Sequence, residues 1–364
     1  MLIDPTMFEG MVIDGHIQIR AFEDEGAFSF VFNAWDDNLR REVAIKILKP
    51  GILDPSALVE FINEGVLLEK CTDSTNVVDL IGAVDRKSTL HASVTGADGL
   101  ARAFDQDFQY LELEWMDGAL SGLLAHLNDI EWHDRLRLVR DVVKGLHQMH
   151  LKDVFHRDIK SNNALVRAGK GSSFEVKVAD LGRSRHVRSS PKGAPESYTF
   201  GRGNRMYSPP ECLWGLGEEN GVAAFRRADL YLAGSVLFEM AVGLAITPVA
   251  IPNPQDIVAM ARLIPIAERR KQYEANANIL RAQYASAFTM FEEKLPPIIR
   301  HDGGRLLRQL CDPRPDRREP DLQRHQGHPQ PGLNWLLARL DILIRRCQPR
   351  GVAMSTLKKR DAAS

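Results

Sequence analysis

The stretch VFHRDIKSNNALV, Val154 to Val166, decides how the rest of the chain is read. It sets His156, Arg157, Asp158, Lys160 and Asn163 within eight residues, between an amphipathic helical pattern and a short apolar run. A charged loop capping a helix would look similar in isolation, so the stretch is weighed against two others. FEVKVADLGRS, Phe174 to Ser184, ends an apolar strand pattern on Asp180, just before Leu181 and Gly182. EVAIKIL, Glu42 to Leu48, places Lys46 inside an otherwise apolar strand. A lysine buried there without a carboxylate would be costly. Glu64, eighteen residues on and on the polar side of the following helix, can supply one.

Outward from these motifs the chain changes period once. Its first third alternates apolar and polar residues in HIQIRAF, FSFVFNAW, EVAIKIL, NVVDLIGAV and FQYLELEWM, which predicts five strands. PSALVEFINEGVLLEKC interrupts them as a helix, with Leu58, Phe61, Ile62, Val66 and Leu67 on one broad face. The polar stretch 85–107 reads as a long loop or insertion. From Leu120 onward helical periods take over, in DRLRLVRDVVKGLHQMH, ADLYLAGSVLFEMAVG, the long run 254–295 and GLNWLLARLDILIRRC. CDPRPDRREPDLQRHQGHPQPG is too rich in Pro to be regular for long. The pattern predicts an α+β fold, a small antiparallel sheet with one helix followed by a mainly helical part.

Bulk properties restrict the function classes. The 364 residues can fill two lobes. Net charge is -1, so nothing global points to nucleic acid or a membrane surface. Cys71, Cys212, Cys311 and Cys347 form no CxxC, which predicts free thiols in a reducing cytoplasm and no metal site of cysteine type. No basic segment leading an apolar run opens the chain, and no run of about eighteen apolar residues occurs, so neither a leader nor a membrane span is expected.

Taken together the motifs resemble the eukaryotic-type protein kinase family, Ser/Thr branch, over roughly residues 15–318. VAIK ends on Lys46, HRDIKSNN matches the catalytic loop, DLG stands where DFG is usual, and YSPPE, Tyr207 to Glu211, replaces APE. DLYLAG, Asp229 to Gly234, follows, and Arg317 or Arg318 is expected to pair with Glu211. The resemblance implies a bilobal protein kinase fold: an N-lobe over 1–118, a C-lobe over 119–318 with an activation segment at 180–211, and a C-terminal helical extension over 319–364. It also implies ATP with Mg²⁺, or Mn²⁺ in its place, and protein substrates phosphorylated on Ser or Thr.

By the same resemblance Lys46 grips the nucleotide phosphates, Glu64 holds Lys46, Asp158 accepts the acceptor proton, and Lys160 steadies the transferring group. Asn163 and Asp180 offer hard oxygens for the metal. Of the three glycines in the family's phosphate loop only one is kept, since Asp24, Gly26 and Ser29 occupy their places. That predicts a serviceable but loose cradle. Val31, Ala44 and Leu165 are expected to sandwich adenine, with Leu113 as gatekeeper and Glu114 to Met116 as hinge.

Ser184, Ser189, Ser190, Ser197, Tyr198 and Thr199 lie in the activation segment, with Thr199 or Ser197 the favoured phosphosite and Arg157 its partner. Asn204 stands where a threonine is usual. Arg183, Arg185, Arg188, Lys192, Arg202 and Arg205 face a single acid there, Glu196, an arrangement that reads as a solvated face or as a preference for acidic substrates. The C-terminal helix, with Trp335, Leu336, Leu340 and Leu343, is expected to dock within the chain. Two further readings stay open, a pseudokinase scaffold and a small-molecule phosphotransferase of related fold.

Overall fold

The computed structural model describes residues 3–95, 101–169, 174–187, 205–217, 221–320 and 332–348. Ser189, Ser190, Ser197, Tyr198, Thr199 and Asn204, together with Arg188, Lys192, Glu196 and Arg202, lie outside them.

The amino-terminal part is a six-stranded antiparallel sheet built from β1 (Val12–Ile13), β2 (Ile17–Glu25), β3 (Ser29–Asp36), β4 (Arg41–Leu48), β5 (Lys87–Thr95) and β6 (Ala101–Glu114). The strand order is β1-β2-β3-β4-β6-β5. Alternation along β4 divides two environments. Val43, Ile45 and Ile47 point into an aromatic cluster with Phe8, Phe30, Phe32, Phe108 and Tyr110. Ala44 lies on the opposite face, where Leu111 and Leu113 of β6 join the main core. A pleat with two apolar faces lets one sheet close its own core and still cover a cleft.

The helix α1 (Pro55–Lys70) is N-capped by Asp54, whose carboxylate accepts from Ser56 N at 2.9 Å. Its apolar face is rotated from the expected one. Leu58 and Ile62 are exposed, whereas Ala57, Glu60, Phe61, Glu64, Leu67 and Leu68 are buried. Glu64 therefore sits on the buried side, a correction that follows from its ion pair with Lys46.

Two expectations in this region are also corrected. NVVDLIGAV forms no regular strand and contributes only the bridges Val77 to Val178 and Leu80 to Leu113. Instead the expected loop 85–107 supplies β5 and the first half of β6, paired from Lys87↔Gln109 to Thr95↔Ala101. Beyond Leu90 and Phe108 the described side chains of this ribbon are exposed or half-buried. With only Leu90 and Phe108 on the core, the ribbon lacks the apolar alternation that marks a strand in sequence.

The remainder is mainly helical. The helix α2 (Trp132–Leu151) is followed by α3 (Pro210–Leu213), α4 (Val222–Val242), α5 (Ile246–Ala250), α6 (Pro254–Arg262), α7 (Ile266–Lys294), α8 (Pro297–Leu310) and α9 (Asn334–Cys347). The single long run predicted over 254–295 is broken between α6 and α7, with Pro265 as the cap of α7. Short strands β7 (Gly118–Ala119), β8 (Val154–Phe155), β9 (Ala164–Ala168), β10 (Phe174–Val178) and β11 (Arg185–His186) carry the motif loops on this helical base. Leu336, Leu340 and Leu343 of α9 are buried in the main core, and Arg140 of α2 donates to Asp341 at 2.5 Å, so this helix docks within the chain.

Gly145 lets α2 lie directly on the strand below. A Cβ there would stand 2.4 Å from Asn76 O and 2.7 Å from Val178 Cγ2. Alanine improves intrinsic helix propensity by about 1 kcal/mol. The obstacle is backbone, however, and forced overpacking costs about 1–3 kcal/mol or more. Gly145→Ala is therefore expected to be net destabilising, with a lowered denaturation midpoint as the readout.

Candidate active site

Lys46 stands at the centre of the sheet, paired in register with Val31 on β3 and Leu111 on β6. Its Nζ donates to Glu64 Oε2 at 2.6 Å and lies 3.3 Å from Asp180 Oδ1. Burial works against the Lys46 charge, but Asp180 and Glu64 outweigh it and hold the ammonium well above its ordinary pKa. Two carboxylates thus share one cation. Burial pushes Glu64, 3% exposed, up to about 7 against the pull of Lys46, while Lys46 holds Asp180 down to about 2.

The sign of the Glu64 shift gives a measurable slope. Folded Glu64 holds a proton that the unfolded chain, at its ordinary 4.5, has already released. Stability from this group therefore falls as pH rises from about 4.5 to about 7, and is level outside that window. Glu64→Gln is expected to flatten that part of the stability profile in denaturation experiments. An unchanged slope would assign it to another group.

Asp180 adopts φ 61 and ψ 67, a left-handed conformation that costs a residue with a Cβ about 1–2 kcal/mol. Asn63 of α1 offsets part of this by donating to Gly182 O at 2.9 Å and Ser184 O at 3.0 Å. Gly182 packs closely on the helix, where a Cβ would meet Glu60 O at 3.2 Å. The Asp180 side chain remains 48% exposed, open to the cleft.

Asp158 is nearly buried, and both Lys160 Nζ and Arg183 Nη1 approach its Oδ2, at 3.5 and 3.3 Å. Burial pushes its carboxyl above the ordinary range despite these two cations. Asn163 Nδ2 donates to the Asp158 carbonyl at 2.9 Å, and Asn163 O accepts from Ala179 N at 2.9 Å. The loop is thereby pinned beside Asp180. With its amide nitrogen committed, Asn163 keeps its side-chain oxygen, and Asp180 keeps an ionised carboxylate. This hard-oxygen donor pair fits Mg²⁺ held jointly with phosphates.

The turn before Asp158 is held from below. Arg157 has φ 65, and fully buried Asp229 accepts its N–H at 2.7 Å and that of His156 at 2.9 Å. DLYLAG was legible as a motif, but this role of Asp229 was not. Glu211 is paired by Arg318, at 2.6 and 2.7 Å in a two-pronged bridge, which settles the choice against Arg317.

Around the cleft, Val31, Ala44, Leu113, Met116 and Leu165 all belong to or pack on one apolar cluster. The Glu114 carboxylate accepts from Asp79 N at 2.8 Å and from Arg167 Nη2 at 2.6 Å, and it pairs with Lys177. The Glu114 N–H donates to Asp79 O at 3.0 Å, so only its carbonyl is left to meet a ligand. The Trp115 carbonyl accepts from the same Arg167. Among the described residues Met116 makes no backbone hydrogen bond, which leaves one donor and one acceptor at the cleft edge.

The β2–β3 turn closes through Gly26 N donating to Ser29 O at 2.8 Å, and Ser29 is buried beneath it. Asp24 is exposed, and its carboxylate caps its own strand through Glu25 N at 2.8 Å. Among the described residues no group of three His, Cys, Asp or Glu could hold a metal, and no helix is long and apolar enough to cross a membrane. All four cysteines are free.

A family model described as protein kinase domain matches residues 24–326. Cyclin-dependent kinase D-1 of Oryza sativa subsp. japonica is 29% identical over 218 residues, 59% of this chain and 43% of that protein. Dual specificity testis-specific protein kinase 1 of Rattus norvegicus is 33% identical over 145 residues, 39% of this chain and 22% of its own length. Probable serine/threonine-protein kinase PBL6 of Arabidopsis thaliana is 27% identical over 275 residues, 74% of this chain and 57% of its length. The chain spans well under two thirds of each of these relatives.

Proposed function

The chain belongs to the protein kinase domain family, and from that premise we propose that it transfers the γ-phosphate of ATP to Ser or Thr hydroxyls of protein substrates. The observation that carries this reading is the joint presence of Lys46–Glu64, Asp158 with Lys160, and Asn163 beside Asp180 around one cleft.

Phosphoryl transfer needs positioning and neutralisation of charge more than covalent chemistry. Val31, Ala44 and Leu165 hold the adenine, with the carbonyl of Glu114 and the backbone of Met116 reading its edge. Gly26 and Ser29 cover the phosphates, and Lys46, steadied by Glu64, pairs with them. Asn163 and Asp180 would hold Mg²⁺, which supplies neutralisation of phosphate charge. Asp158 orients the acceptor hydroxyl and takes its proton as the new O–P bond forms and the bond to the ADP oxygen breaks. Lys160 balances charge on the group in flight.

Autophosphorylation at Thr199 or Ser197, with Arg157 as phosphate partner, extends the same reading, and so does a cytoplasmic, signalling role. Phosphate transfer from Mg–ATP to a degenerate Ser/Thr peptide mixture, run beside a panel of aminoglycosides and other small hydroxyl acceptors, tests it. Labelling of peptides alone is expected. Labelling of a small molecule alone would favour the small-molecule phosphotransferase.

A further inference from the structure

Glu60 and Glu64 stand one helical turn apart on the buried side of α1. Each meets a cation, and each cation reaches an aspartate of the site. Glu64, Lys46 and Asp180 form one chain, with steps of 2.6 and 3.3 Å. Glu60, Arg183 and Asp158 form a second, with steps of 3.7 and 3.3 Å. The first is the family's pair and its metal aspartate. The second has no counterpart among the motifs read from the sequence.

We propose that Arg183 is a positioning residue for Asp158, and that Glu60–Arg183–Asp158 is a second tie by which α1 sets the geometry of the catalytic loop. The proposal rests on the phosphotransferase reading for the role it gives Asp158. Three features carry it. The backbone of the turn is locked to α1 by Asn63, which donates to Gly182 O and Ser184 O on either side of Arg183. Gly182 lies so close to the helix that a Cβ would meet Glu60 O at 3.2 Å, so any shift of α1 carries Arg183 with it. Arg183 and Lys160 both approach Oδ2 of Asp158, so both cations bear on one oxygen of the carboxylate. A guanidinium spanning two carboxylates fixes orientation as well as charge.

The alternative role for such an arginine is a block, neutralising Asp158 until something displaces it. The two roles predict opposite kinetics. With the full chain, Mg–ATP and the degenerate peptide mixture, Arg183→Ala is expected to lower kcat by roughly ten- to hundredfold, the scale of a small misplacement of a catalytic group. KM for ATP and the Kd of Mg–ATP should stay unchanged. Arg183→Lys should recover part of the rate. Glu60→Gln should act in the same direction, and the double variant should be no slower than Arg183→Ala. Exchanging the charges, Glu60→Arg with Arg183→Glu, should fail to restore the rate because it sets an anion against Asp158.

A parental or faster rate in Arg183→Ala, or full recovery in the exchanged pair, would overturn the proposal. A second readout separates it from the activity reading. If the parent binds Mg–ATP yet transfers nothing, amide hydrogen exchange still decides: Glu60→Gln must speed exchange in the catalytic loop 156–163 as well as in α1. Faster exchange confined to α1 would overturn the tie on its own.

Discussion

Asp158→Asn is expected to bind Mg–ATP with parental affinity while phosphate transfer falls roughly 10²–10⁴-fold, the usual worth of a general base. The substitution is nearly isosteric, and the backbone of the loop is also held by bonds that do not involve the carboxylate. Asn163 grips the Asp158 carbonyl, not the side chain, and Asp229 holds the two preceding N–H groups. Lys160 and Arg183 lose an anion, but both keep a path to solvent. Burial already pushes the Asp158 carboxyl up, so removing its charge should leave thermal stability at or slightly above the parent. Binding by calorimetry and rate by ADP release separate the two effects. A variant that kept the parental rate would remove Asp158 from the chemistry.

The second large effect concerns stability. Arg318 is fully buried and pairs with Glu211 through both terminal nitrogens. Its Nε also donates to Asp312 O at 2.9 Å, Nη1 donates to Arg227 O at 3.0 Å, and its guanidinium lies 4.9 Å from the ring centre of Tyr231. Arg318→Ala leaves Glu211 buried without that partner and empties a large site, at an expected cost of about 3–5 kcal/mol. That is a large share of the 5–15 kcal/mol typical of a whole protein. Arg318→Lys should recover little, because an ammonium cannot replace the planar fork. Adding Glu211→Gln to Arg318→Ala should restore part of the loss, since it removes the stranded charge. Denaturant midpoints measure all three. A midpoint for Arg318→Ala within error of the parent would show that the bridge holds nothing.

How much of this was legible depended on whether a residue's environment was local. β3, β4 and α2 announced themselves because their alternation or helical stripe reports a single apolar face, and Lys46, Asp158, Asn163 and Asp180 because their spacing along the chain is distinctive. The fourth strand falls elsewhere because the apolar run 76–84 packs as an irregular segment, while the ribbon 87–95 pairs through its backbone and polar side chains with little apolar burial. Glu64 reads from the sequence as lying on the polar side of its helix because charges ordinarily face water, and its ion pair with Lys46 inverts that rule. Arg317 and Arg318 were inseparable, since one residue of turn register decides which side chain goes inward.

The helix α8 went unread. It opens on adjacent prolines and carries Gly303 and Gly304 midway, so propensity argued against it, and packing by Leu306, Leu307 and Leu310 overrides that. Glu60 and Arg183 leave one faint trace in the sequence, two acids four residues apart on α1.

The most direct test of the account is the intact mass of the full chain after incubation with Mg–ATP and the degenerate peptide mixture, beside Asp158→Asn. The account predicts phosphate on peptides, and on the chain itself, for the parent only. No phosphate from a folded parent that binds Mg–ATP, or equal phosphate from both proteins, would contradict it.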